Sequence, residues 1–276
     1  MEKLRNSKTI NLKGTELEIG KNTLLMGILN CTPDSFSDGG KYFNPEKAFQ
    51  QAEKLFREGA DILDIGAEST RPGYRKIEAE EEWARLEPLL KQLLPGFPIP
   101  VSIDTQKAVV AEKALKLGAS LINDIWGLQG DPQMAKVIGS YQAAVVIMHN
   151  SDHTVYRDLM AEIIDFLARS IEIALASGIQ ENQIIVDPGI GFGKTVAQNI
   201  EVIRRLGELK SLGFPVLLGA SRKSLIGKTL NLPVEERLEP TIAINTLGIA
   251  AGVDILRVHD VGANKKAARM VNHILG

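Results

Sequence analysis

Polar residues end the short aliphatic runs of this chain. Asn30, the stretch Glu68-Ser69-Thr70-Arg71, Asp104, Asn123-Asp124, His149-Asn150, Asp187, Ser221-Arg222-Lys223 and the pair Arg257 and His259 each close or follow such a run. One polar residue where a run leaves the core is ordinary. Eight in register are not: a buried carboxylate or amide without a partner costs on the order of a few kcal/mol, so several converging on one mouth imply a polar ligand. Asp104, Asn123, Asp187 and Lys223 together offer acceptors and donors. That set suits a fused nitrogen heterocycle, whose edge presents ring nitrogens, an amino group and a carbonyl.

Arg257 and His259 stand two apart, so on a regular strand they share one face, and Lys223 can join them from the neighbouring strand. The trio reads as an anion site. Asn30 lies on the adjacent first strand if the strands close into a ring. A diphosphate there would be neutralised by the arginine, the histidine and a divalent ion, and the amide oxygen of Asn30 favours magnesium.

Two loops complete the set. Residues 31–41, Cys31-Thr32-Pro33-Asp34-Ser35-Phe36-Ser37-Asp38-Gly39-Gly40-Lys41, are small, polar and glycine-ended, as expected of a lid, and Phe36 can stack on a substrate ring. Ser69-Thr70-Arg71-Pro72-Gly73-Tyr74 forms a second loop with a proline-glycine turn beside the first.

What must position these residues is a repeated unit. Aliphatic runs at 24–29, 61–65, 100–103, 121–123, 143–148, 184–186, 215–218 and 255–258 alternate with amphipathic stretches such as 45–58 and 158–177. This is the pattern of a parallel sheet with crossover helices. Eight units predict a single (β/α)8 TIM barrel, an α/β fold whose chemistry sits at the C-terminal strand ends. Gly59, Gly118, Gly178 and Gly213 precede strands and are expected to end helices in left-handed turns. Residues 9–20 alternate as a β-hairpin turning at Lys13-Gly14 and are expected to cap the barrel bottom. With no linker-like segment, residues 1–276 read as one domain.

Bulk properties narrow the class further. The 276 residues are 44% hydrophobic and 24% charged with a net charge of −2, which leaves no electrostatic footprint for gripping nucleic acid. Cys31 is the sole cysteine, which excludes an intrachain disulfide and fits a reducing compartment. The opening Met1-Glu2-Lys3-Leu4-Arg5-Asn6 has no apolar signal core, and the longest uncharged stretch, 241–253, is too short to span a membrane. The reading is a soluble, cytoplasmic protein.

The motifs resemble those of a known family. Asn30-Cys31-Thr32-Pro33-Asp34-Ser35-Phe36-Ser37-Asp38-Gly39-Gly40, Gly66-Ala67-Glu68-Ser69-Thr70-Arg71-Pro72-Gly73, Ser102-Ile103-Asp104-Thr105 and Asn123-Asp124 are similar to segments of the dihydropteroate synthases, the pterin-binding enzymes of folate synthesis. Asp187-Pro188-Gly189-Ile190-Gly191-Phe192-Gly193-Lys194, Ser221-Arg222-Lys223-Ser224 and Arg257-Val258-His259-Asp260-Val261 agree as well, so the resemblance runs from about residue 9 to the end. It implies condensation of 6-hydroxymethyl-7,8-dihydropterin diphosphate with p-aminobenzoate, giving 7,8-dihydropteroate and diphosphate with magnesium assistance.

The resemblance also implies roles. Asp104, Asn123, Asp187 and Lys223 would hold the pterin, with Ile125, Met148, Gly191 and Phe192 around it. Asn30, Arg257 and His259 would hold the diphosphate, with Asn30 also on magnesium. Phe36, Thr70, Arg71, Pro72 and Ser224, again with Phe192, would frame p-aminobenzoate. Asp34, Arg71 and Lys223 would act in catalysis, Asp34 by stabilising cationic character at the reacting CH2. A neutral aromatic amine needs no covalent enzyme intermediate, so Cys31 is a packing residue and not a nucleophile. The family implies a homodimer through the last helices, and residues 265–273 read as a final amphipathic helix with a basic face. One departure is Pro240, which stands where the family has glycine, ahead of the last helix.

Other readings fit less well. Gly193-Lys194-Thr195 could end a phosphate-cradling loop, but that motif needs glycine five residues before Gly193, where Pro188 stands. His149 and His153 have zinc-helix spacing, yet His149 ends a strand and Asn150 replaces the expected glutamate. A methyltetrahydrofolate corrinoid methyltransferase would use similar pterin residues but has no reason for a diphosphate site. A catalytically silent pterin-binding paralogue would have lost lid or anion residues, and none is missing.

Overall fold

The computed structural model describes residues 8–32, 44–68 and 76–276. The chain opens with a hairpin, β1 (Lys8–Leu12) and β2 (Thr15–Ile19). The barrel strands and their helices then alternate: β3 (Leu24–Asn30), α1 (Pro45–Arg57), β4 (Ile62–Gly66), α2 (Ala79–Leu93), β5 (Val101–Asp104), α3 (Ala108–Leu117), β6 (Leu121–Asp124) and α4 (Met134–Ser140). The second half continues with β7 (Ala144–Met148), α5 (Leu159–Ala176), β8 (Ile184–Asp187), α6 (Val196–Arg204), β9 (Leu217–Leu218), α7 (Ser224–Leu230), α8 (Leu238–Ala250), β10 (Ile255–Val258) and α9 (Val261–Leu275).

The barrel strands are parallel in the order β8-β7-β6-β5-β4-β3-β10-β9. The remaining seam is held by one parallel bridge, Val186 to Val216, and by the Val186 amide donating to Pro215 O at 2.9 Å. The fold is therefore the expected α/β TIM barrel with an N-terminal hairpin. The run at 215–218 yields only two residues of regular strand, because Pro215 has no N–H to add to a ladder.

Local chemistry explains the helix limits. Asn44 caps α1 by accepting from the amides of Glu46 and Lys47, and Pro45 occupies the first turn, where no donor is needed. Thr195 and Gln198 form a reciprocal capping box on α6. Gly59, Gly118, Gly178 and Gly213 all take positive φ, as their places before strands predict. Pro240 is the third residue of α8, the penultimate helix and not the last. Its missing N–H falls among the first-turn donors that have no helical partner, so the substitution breaks no helix bond.

Two cores result. One lies between the outward strand faces and the helices. The other fills the barrel's N-terminal end, where Ile10, Leu12 and Ile19 of the hairpin pack against Leu24, Met26, Ile62, Leu121, Ala144, Val146, Ile185, Leu217 and Ile255. The hairpin turns at Lys13 (φ 50) and Gly14 (φ 94), and it plugs the barrel bottom. The opposite end is left for polar residues.

Candidate active site

Alternation along each strand carries the apolar inner layer upward into a polar one. Leu121 faces the inner core, so Asn123 two residues on faces inward as well. The same step leads from Ile185 to Asp187 and from Ile255 to Arg257, and Asp64 takes the inward position after Ile62.

Arg257 reaches across this layer. Its Nε donates to Asp64 Oδ2 at 2.6 Å and its Nη2 to Asp104 Oδ2 at 2.6 Å. Asn123 Nδ2 donates to the same Asp64 oxygen at 3.3 Å. Asp64 is fully buried. Asp64 Oδ1, Ser102 Oγ and Asp104 Oδ1 are buried with no hydrogen-bond partner, so the layer keeps acceptor capacity that the protein does not use. Gly66 leaves room for this arrangement, since a Cβ there would lie 3.3 Å from Asp104 Cβ.

The electrostatics follow from burial. Desolvation pushes the Asp104 carboxyl up to about 7, against the pull of Arg257 and with the added repulsion of Asp64. Asp187 is also raised by burial, although Lys223 and the Gly189 amide at 2.7 Å favour its charge. Lys223 is drawn down to about 8 by burial, with Arg257 repelling it and Asp187 and Asp104 attracting it. Its Nζ donates to Ile190 O and lies 4.4 Å from the centre of the Phe192 ring. Near neutral pH this cluster can exchange protons and pair donors with acceptors on a bound heterocycle.

The structure brings Asp104, Asn123, Asp187, Lys223 and Arg257 into one mouth. Ile125 and Met148 are buried beside them at the ends of β6 and β7. His259 lies one residue beyond the last paired residue of β10 and bonds Ser221 Oγ through Nδ1 at 3.0 Å. It lines a cavity of about 450 Å³ with Asn30, Lys54, Glu58, Arg222 and Asp260. Ser224 is exposed at the start of α7. Asp34, Phe36, Thr70, Arg71 and Pro72 lie outside the described residues. Cys31 is fully buried and its thiol is pushed up by that burial, which suits a packing role.

Sequence reasoning missed three features. Asp64 carried a signal, a carboxylate at an inward position of an otherwise aliphatic run. Glu68 accepts from the Ile77 amide at 2.9 Å and from Lys107 Nζ at 2.8 Å, and Lys107 also pairs with buried Glu82, so this cluster ties residues on either side of the second loop. Lys194 Nζ meets His149 Nδ1 at 2.8 Å. Burial and the Lys194 charge lower His149 to about 3, and burial lowers Lys194 to about 7.

An eight-stranded barrel with this acid, amide and cation mouth defines a pterin-binding enzyme, and a family model described as "Pterin binding enzyme" matches residues 26–259. A dihydropteroate synthase of Clostridium beijerinckii is 51% identical over 261 residues, 94% of this chain and 97% of that protein. A solved dihydropteroate synthase from Clostridium difficile, crystallised in the presence of pteroic acid, shares 55% identity at a TM-score of 0.91, covering 94% of this chain and 98% of that one. That of Xanthomonas albilineans with 4-aminobenzoic acid shares 38% identity at a TM-score of 0.92, covering 98% of both. The chain belongs to the dihydropteroate synthase family.

Proposed function

We propose that this enzyme joins p-aminobenzoate to 6-hydroxymethyl-7,8-dihydropterin diphosphate, forming 7,8-dihydropteroate and releasing diphosphate. The observation that carries the reading is the unsatisfied Asp104 Oδ1, buried where Asn123, Asp187 and Lys223 converge. Asp104, Asn123 and Asp187 are suited to take the amino and ring N–H groups of the pterin, and Lys223 its carbonyl and ring nitrogen. Ile125, Met148, Gly191 and Phe192 would flank the ring.

Diphosphate falls to Asn30, His259 and Arg257. Two N–H groups of Arg257 are engaged by Asp64 and Asp104, which leaves three of its five donors for phosphate oxygens. Asn30 ends β3 on the rim of the His259 cavity, and a neutral amide oxygen there fits magnesium, which takes few protein ligands and completes its shell with phosphate oxygens and water. The ion, when bound, would neutralise charge on the departing diphosphate.

The chemistry is displacement at the CH2 next to an electron-rich pterin. The bond from that carbon to the diphosphate oxygen breaks, the neutral aryl amine forms the new C–N bond, and the amine loses a proton. Positioning and stabilisation of the leaving group supply the acceleration. Asp34 would stabilise charge at the CH2, while Phe36, Thr70, Arg71, Pro72 and Ser224 frame p-aminobenzoate. Arg71 and Lys223 would complete the catalytic set.

The whole chain would act as one domain, in the cytoplasm, as a homodimer. Support for the dimer comes from Leu247 of α8 with Met270 and Ile274 of α9, each at least 60% exposed. No helix among the described residues is long and apolar enough to cross a membrane. Incubation with the pterin diphosphate, magnesium and p-aminobenzoate is expected to yield dihydropteroate. Folded protein that yields none would overturn the reading.

A further inference from the structure

After Pro188 the segment between β8 and α6 is rich in glycine, with Gly191 N donating to Asn199 Oδ1 at 2.6 Å and Tyr156 OH donating to Gly193 O at 2.7 Å. Gly189, Gly191 and Gly193 take φ values of 71, 87 and 55, and glycine permits several alternative peptide orientations at each. It is nevertheless pressed against neighbouring backbone: a Cβ on Gly189 would lie 1.9 Å from His149 O, and one on Gly193 would lie 2.5 Å from Ser151 O. Its carbonyls converge on two ammonium groups. Gly189 O and Phe192 O each accept from Lys194 Nζ at 3.0 Å, while Ile190 O accepts from Lys223 Nζ. The third donor of Lys194 goes to His149 Nδ1 at 2.8 Å, which requires the neutral ring with its proton on Nε2.

We propose that Lys194, braced by His149, is a positioning residue that holds the glycine-rich segment so that Ile190 O and the Phe192 ring fix Lys223 in the mouth. Lys194 is itself buried, and its Nζ bonds are all to protein atoms, Gly189 O, Phe192 O and His149 Nδ1. Its charge also acts on Asp187 and Lys223, which the His149 variants leave in place, and the bracing itself passes through the backbone. Without it, two carbonyls lose a charged donor in a buried setting, and the flanking glycines let those peptides rotate away. Rotation takes Ile190 O from the ammonium it orients and moves the ring that lies against that ammonium. His149 matters as the acceptor that keeps Lys194 directed inward from the end of β7.

The inference rests on the assignment of Lys223 to the pterin, so its test reads the segment both with and without substrate. Lys194→Met and His149→Leu are expected to raise KM for the pterin diphosphate about tenfold, with a smaller fall in kcat because Lys223 also belongs to the proposed catalytic set. His149→Asn should recover most of that loss, because its amide oxygen can stand where Nδ1 accepts. Hydrogen exchange of amides 189–194 should quicken about tenfold in Lys194→Met and His149→Leu but not in His149→Asn, with the barrel strands unchanged. If Lys194→Met does not fold, the two His149 variants decide alone.

An unchanged KM for the pterin diphosphate, or equal behaviour of His149→Leu and His149→Asn, overturns the proposal. If the wild type makes no dihydropteroate, the functional reading fails separately. The exchange experiment then decides whether the brace exists, and unchanged exchange overturns it.

Discussion

Arg257 Nη2 lies 2.6 Å from Asp104 Oδ2, joining the eighth barrel strand to the third across the mouth. Through Nε the same guanidinium also neutralises the fully buried Asp64. Arg257 therefore supports the proposed pterin pocket as well as the proposed diphosphate site. Arg257→Ala strands two buried carboxylates, and breaking a buried pair in this way costs about 3–5 kcal/mol. Urea unfolding should show that loss, together with weaker binding of both substrate halves. A loss below about 1 kcal/mol would place Arg257 among exposed, weakly coupled charges.

Asn30 and Asp187 offer a cleaner separation. Asn30→Ala is expected to weaken diphosphate handling alone, read as a higher inhibition constant for free diphosphate in the presence of magnesium. Asp187→Ala should weaken binding of the pterin alcohol, which carries no diphosphate. Equal effects of each change on both ligands would contradict the division of the mouth into two subsites.

His149 should govern part of the acid stability. It faces Lys194 at 2.8 Å and packs against the rings of Tyr156 and Phe166. Its pKa is lowered from 6.5 to about 3 in the fold, so below about pH 6.5 the unfolded chain binds a proton that the native chain refuses. Stability from this group is full above that pH and declines down to about pH 3. Asp104 works in the opposite sense, because its raised pKa makes the native state the better proton acceptor between about 3.8 and 7. The difference between wild type and His149→Asn isolates the histidine, and it should shrink by a few kcal/mol on acidification from pH 7 to 4. A pH-independent difference would show that His149 titrates normally.

Gly189 and Gly96 share a left-handed backbone but not their surroundings. At Gly96 a Cβ meets nothing within 4 Å, so Gly96→Ala should cost only the left-handed penalty of about 1–2 kcal/mol. At Gly189 the Cβ would collide with His149 O, and Gly189→Ala should exceed about 3 kcal/mol or prevent folding. Chemical denaturation of the two variants is the comparison, and similar losses would mean that β7 and the glycine segment separate easily.

Much of this architecture is written in short-range pattern. Short aliphatic runs, helices ended by Gly59, Gly118, Gly178 and Gly213, and a hairpin turning at Lys13-Gly14 all follow from backbone sterics and burial acting within a few residues. The polar ends of the strands were legible for the same reason, since alternation carries Asn123, Asp187 and Arg257 inward in step with the apolar residues two places before them. The shared face expected for Arg257 and His259 rests on alternation, which holds only within paired strand, and β10 ends at Val258, one residue before the histidine.

Partnership across the barrel had no such local signal. Asp64 meets Arg257 at a separation of 193 residues, and His149 meets Lys194 at 45. Residue types and spacing determined a barrel of this family and the set of groups at its mouth. Only closure of the ring decided which acid neutralises which base, because in a low-dielectric interior that choice depends on distances of a few ångströms across strands far apart in the chain.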